Sequence, residues 1–146
     1  MTSAIVSALH LLALAIGLPA VFLRGRSLRG RLDADGLRRL FAADAAWGIA
    51  ALLWTTTGLL RAFAGLEKGT GFYLASELFW TKLGFFGAIL ALEIWPMVSF
   101  IRWRLALRRG RAADTSAAAA LYVVNHVELV LVVIIVFVAS FMARGF

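Results

Sequence analysis

Residues 3–23 read SAIVSALHLLALAIGLPAVFL, and residues 24–39 follow at once with RGRSLRGRLDADGLRR. This boundary decides the fold. A bilayer core needs about 20 mostly apolar residues per helix. Ser3 to Leu23 supplies them, interrupted only by His10 and Pro19. No basic segment precedes the run and no small-residue cleavage pattern ends it, so it reads as a spanning helix rather than an export signal.

Outward from this boundary the same alternation repeats. Arg24 to Arg39 reads as a polar loop broken by Gly25, Gly30 and Gly36, with Asp33 or Asp35 placed to cap the next helix. A second helix is expected over 37–63, then a short turn from Gly65 to Gly71. A third helix is expected over 72–107, where Pro96 should kink it or loosen one backbone bond. The loop from Gly110 to Ser116 offers Thr115 or Ser116 as a cap for a fourth helix over 117–142. The fold class is therefore all-α, an integral membrane, antiparallel four-helix bundle forming a single domain over 1–146.

Composition agrees. Of 146 residues, 62% are hydrophobic, well above the soluble average of about 45–50%. The formal charge is nevertheless +7. A basic balance often marks nucleic-acid binding. Here the arginines lie between apolar runs, which leaves no soluble basic face and excludes that partner. The chain has no cysteine, which excludes disulfides, thiolate metal sites and cysteine catalysis. Its only histidines are His10 and His126, too few for a three-histidine metal site.

Orientation follows from the basic residues of short loops. The first and third loops with their flanks hold eleven arginines, and the other side holds Arg61, Lys68 and Arg144. The arginine-rich loops are expected in the cytoplasm and both ends outside, in a multi-pass protein of a bacterial plasma (inner) membrane. Trp103 and Tyr73 fall near helix ends, where interfacial aromatics are expected.

An ionisable residue inside a span costs at least about 2.5 kcal/mol on insertion scales and asks for a reason. The spans carry His10, Asp44, Glu77, Lys82, Glu93, His126 and Glu128. His10 shares its helical face with Ser3, Ser7, Ala13, Gly17 and Ala20 or Val21, a stripe of small side chains. Such a stripe serves close helix packing. The sharper reading is a flat macrocycle lying on the stripe, with His10 as axial ligand to iron. Lys82 and Glu93 lie on one face of helix three, about 16 Å apart along the axis, so each needs a partner elsewhere. Lys82 should match His10 in depth, in the outer half. A snorkelling lysine paired with Glu77 or Glu128 competes with a cation that holds a propionate or a quinone oxygen. Asp44 reads as an acid at a helix start, favoured by the macrodipole. His126 and Glu128 point about 200° apart. Glu128 shares its face with Asn125 and should be the inward residue, leaving His126 to another contact such as a second subunit. His10 and His126 differ in depth by about 10 Å and cannot share one haem within a chain.

The segments Ala8 to Ala13 (Ala-Leu-His-Leu-Leu-Ala) and Gly17 to Arg24 resemble the first helix of HemJ-type protoporphyrinogen oxidases. Phe79 to Phe86, with Lys82 ahead of a leucine, resembles that family's third helix. The resemblance implies haem b on His10 and a second functional role for Lys82. Where that family carries further histidines and tyrosines, this chain has Glu93 and Trp95. The chain as a whole resembles more closely an uncharacterised family of bacterial predicted membrane proteins. The likeness lies in Ala42 to Gly48, the Leu66 to Gly69 turn, Trp95 to Met97 and Phe141 to Gly145.

These readings combine into an expectation of a haem-b membrane redox protein. His10 is its metal ligand, Ser7, Gly17 and Lys82 help bind the cofactor, and Lys82, Glu93 and Glu128 orient it or relay protons. Porphyrinogen oxidation, as in a HemJ-like oxidoreductase, and quinone-linked electron transfer are the activities in view. A non-enzymatic accessory or scaffold protein and an oligomeric small transporter are the alternatives, the latter requiring a homo-oligomer.

Overall fold

A computed structural model of the chain describes residues 1–65 and 69–144. It contains α1 (Thr2–Arg29), α2 (Ala34–Phe63), α3 (Thr70–Leu74), α4 (Glu77–Arg108) and α5 (Ala118–Ala143). Four of these are long and apolar enough to cross a membrane: α1, α2, α4 and α5. They alternate in direction. α1 packs along α2 and α5, and α4 packs along α5.

The boundaries differ from the sequence reading in four places. α1 does not stop at Leu23 but runs to Arg29; Gly25 does not break it but lies within the helix against Asn125, and the helix ends at Gly30. The loop therefore shrinks to a few residues, and Arg24 lies inside the span. α2 begins early because Asp33 caps it, its carboxylate accepting from Gly36 N at 2.9 Å. The third span starts at Glu77 rather than residue 72. Ser76 breaks the chain into α3 and α4 by accepting the Phe79 N–H on its hydroxyl. α5 starts without a side-chain cap, so neither Thr115 nor Ser116 has the expected role. Instead Asp114 accepts from Ser116 N in the preceding turn. The Leu66 to Gly69 turn and the Phe141 to Gly145 end lie partly outside the described residues. α4 continues past Pro96 without a break in its assigned helix.

Outward-facing side chains are large and apolar. Leu52 is 70% exposed, Ile49 69%, Leu11 63% and Phe137 60%. A soluble monomer rarely shows apolar surface on this scale, and here it is the surface that meets lipid. Inside, three apolar layers follow one another along the bundle. Leu28, Leu40, Phe100 and Leu121 pack at the arginine-rich end. Ala13, Val21, Trp47, Trp54, Ile89 and Val132 fill the middle. Ala62, Tyr73, Phe79 and Met142 pack at the opposite end. Tyr73 and Trp103 are buried in these layers rather than forming an interfacial belt.

Candidate functional site

The most heavily bonded polar residue is Arg24, which is fully buried. It sits on α1 between Val21 and Leu28, so it separates the middle apolar layer from the arginine-rich end. A guanidinium has five N–H donors in a rigid fork. Nε donates to Asn125 Oδ1 at 2.7 Å. Nη1 donates to Glu93 Oε1 at 2.7 Å and to Asp44 Oδ1 at 3.3 Å. Nη2 donates to Glu93 Oε2 at 2.9 Å and to Glu128 Oε2. Five donors thus meet five acceptors from all three other spans. The Glu93 contact is bidentate, the strongest geometry available to an arginine and a carboxylate.

A second set of bonds fixes these acceptors. Trp47 Nε1 donates to Glu93 Oε2 at 3.1 Å. Arg104 Nη2 donates to the other oxygen of Asp44 at 2.7 Å and to Phe41 O at 3.2 Å. Asn125 Nδ2 donates to Val21 O at 3.0 Å, which turns its oxygen toward Arg24. Asp44 is therefore bound by two arginines, beyond any helix-end role. Three carboxylates meet two guanidiniums here. Glu128 Oε1 is buried and makes no hydrogen bond among the described residues. It is the one carboxylate oxygen of the cluster that accepts nothing among the described residues.

In hydrocarbon, lipid tails are as apolar as leucine, and apolar contact alone selects weakly among helix arrangements. The Arg24 cluster selects strongly, because any other arrangement strands charge in the membrane. Its first role is to lock four helices together near one end.

The opposite end is different. His10, Lys82 and Arg61 line a cavity of about 450 Å³ whose walls are chiefly apolar, among them Leu14, Phe86 and Ile135. His10 Nδ1 lies 2.9 Å from Thr57 Oγ1. The Thr57 hydroxyl has one proton, and it is directed at Leu53 O, 2.7 Å away. Thr57 thus ties the His10 ring on α1 to α2. The ring also lies 5.9 Å from that of Trp54. Lys82 Nζ stands 5.8 Å from the Phe79 ring centre.

The sequence-predicted residues thus divide between two places. His10 and Lys82 share the cavity. Glu93 and Glu128 do not line it; they belong to the Arg24 cluster, so Glu128 is not the partner of Lys82. Glu128 and Asn125 are inward and His126 is exposed, as their angular spacing implied. Gly17 is not open to a ligand. A Cβ there would stand 3.2 Å from the Ala50 Cβ and 3.4 Å from Trp47, so α2 already covers the small-residue stripe below His10. Ser7, one turn before His10, is half-buried. The sequence reading missed Arg24, placed in a loop, and its supports Arg104 and Trp47. One signal was available: Arg24 lies seven residues from Gly17, so it continues the same stripe if the helix continues.

Fold and site define the chain as a multi-pass α-helical membrane protein with a buried charge cluster. It belongs to the family described as predicted membrane protein (DUF2214), whose model matches residues 2–146. No curated protein and no solved structure matches it, so the likeness to HemJ-type enzymes rests on the residues quoted above alone.

Proposed function

We propose that the cavity at the His10 end binds haem b with His10 as axial ligand, and that the protein is a membrane redox protein. The observation that carries this reading is that His10 and Lys82, distant in sequence, line one apolar cavity. Its volume is in the range of small-molecule and cofactor sites, about 300–1,000 Å³. The donor set fits the group. His10 is held by Thr57 at Nδ1, and a supporting hydrogen bond of this kind orients a metal-binding imidazole. Lys82 and Arg61 supply positive charge for acidic substituents. The ligand belongs in the cavity beside Leu14 and Phe86, not on the Gly17 stripe.

Bound haem would supply one-electron chemistry, and a quinone in the bilayer is the acceptor we assign. Thr57 keeps the His10 ring in one orientation, and the apolar walls exclude water. Glu128, beyond the Trp54 layer, is the residue suited to hold a proton. Quinone-linked electron transfer is favoured over porphyrinogen oxidation, because no further histidine lines the cavity. We place the arginine-rich end in the cytoplasm and the protein in a bacterial plasma membrane, following the arginine bias.

An absorption spectrum tests the proposal. Protein produced with ample haem should purify with a Soret band, and His10→Ala should abolish it while the helices persist by circular dichroism. A colourless wild-type protein would overturn the reading.

A further inference from the structure

A second cavity, of about 400 Å³, lies between α1 and α5 at the arginine-rich end. It is separate from the haem proposal, and of the Arg24 cluster only Asn125 lines it. Its basic lining residues are Arg26, Arg29 and His126, and its deeper apolar ones are Phe22 and Leu129. The guanidinium of Arg29 lies 5.2 Å from the Tyr122 ring centre, and the Tyr122 and His126 rings are 5.8 Å apart. These side chains therefore form a column up one wall. Gly25 lets α1 approach the Asn125 side chain: a Cβ there would come within 2.6 Å of Asn125 Nδ2 and would have to displace that amide.

The chemistry runs in one direction along this groove. Phe22 and Arg29 are seven residues apart on α1, about 10 Å along the axis. α5 runs oppositely, with Leu129 deep and Tyr122 shallow. One end of the groove is apolar and faces the hydrocarbon; the other is cationic and lies near the helix end. Arg26 and Arg29 are exposed and take part in no ion pair among the described residues. Arg38, by contrast, lies 3.1 Å from Asp35, and Arg104 binds Asp44. Unneutralised arginines beside an apolar cleft at a membrane surface match an anionic phospholipid. Its phosphate would meet Arg26 and Arg29, and its acyl chains would meet Phe22 and Leu129. Basic pockets between spanning helices recognise lipid head groups by this combination, and arginine forks suit phosphate oxygens.

We propose that the α1–α5 groove is a binding site for an anionic phospholipid of the surrounding bilayer. Native mass spectrometry of the protein released from nanodiscs of mixed phosphatidylglycerol and phosphatidylcholine tests this. Wild type should retain phosphatidylglycerol in preference to phosphatidylcholine. R26A/R29A should weaken that retention at least about tenfold, while R38A/R39A, which removes the same charge elsewhere at this end, should keep it. R26K/R29K should restore part of it, which guards against a folding defect in the alanine variant. Equal retention of the two lipids would overturn the proposal, and so would equal losses in the two alanine variants. Displacement of the lipid by millimolar inorganic phosphate would assign the groove to free phosphate instead.

Discussion

At the level of Arg24 every guanidinium proton has an acceptor, and all the acceptor residues but Glu128 are themselves tied to Trp47, Arg104 or Val21. At the level of His10 the same four helices enclose a cavity, with polar side chains spaced around apolar walls. Both ends contain cations inside a membrane protein, but the chemistry is opposite. One end surrounds its charge with carboxylates and gains a single helix arrangement. The other presents histidine, lysine and arginine to a space large enough for a ligand. The difference separates a closed charge cluster from a cavity lined by polar side chains set among apolar walls.

The sharpest way to break this contrast is Arg24→Leu. It leaves Glu93, Glu128 and Asp44 facing one another without their shared cation. Breaking a buried pair by removing one partner costs about 3–5 kcal/mol. We expect loss of folded protein, or a large fall in melting temperature in detergent. A variant as stable as wild type would show that the cluster does not lock the helices.

Next in size is a pair that should differ although the chemistry is identical. Glu93→Gln halves a bidentate contact and weakens the acceptor for Trp47, and hydrogen bonds to charged groups contribute about 1.5–3 kcal/mol each. Glu128→Gln keeps one oxygen for Arg24 and alters only the oxygen that makes no hydrogen bond among the described residues. We expect thermal denaturation to show a clear loss for the first and little for the second. Equal losses would mean that Glu128 supports the cluster as strongly as the bidentate Glu93 does.

The His10 end should be tolerant. His10→Ala removes the interhelical hydrogen bond to Thr57, and such bonds average about 0.6 kcal/mol inside membranes. Stability should barely change while any haem pigment disappears. A collapse comparable to that of Arg24→Leu would make His10 a structural residue.

The smallest effect lies outside the membrane. The Gly36 N–H holds the Asp33 carboxyl below the usual carboxylate range. Its folded state therefore favours the charged form. The associated stability is present at neutral pH and is lost as the pH falls through the acid range. Asp33→Ala should flatten the acid limb of the melting-temperature profile slightly; an unchanged profile would show that the cap contributes nothing.

Hydropathy and arginine spacing alone determined the four spans, because membrane thickness imposes helix length and because backbone groups in lipid must bond within their own segment. Angular spacing on α5 also determined that Glu128 and Asn125 face inward while His126 does not. What lay beyond the sequence was pairing. Arg24 ends an apolar run, and by composition it belongs with the loop arginines; only the continuation of α1 to Arg29 turns it inward. Its partners stand 20, 69 and 104 residues away on three other helices, and helical periodicity within one span cannot choose among them. The small-residue stripe shows the same limit from the other side. Periodicity finds the stripe, but only packing decides that α2 covers Gly17 and leaves the space above it, beside His10, as a cavity.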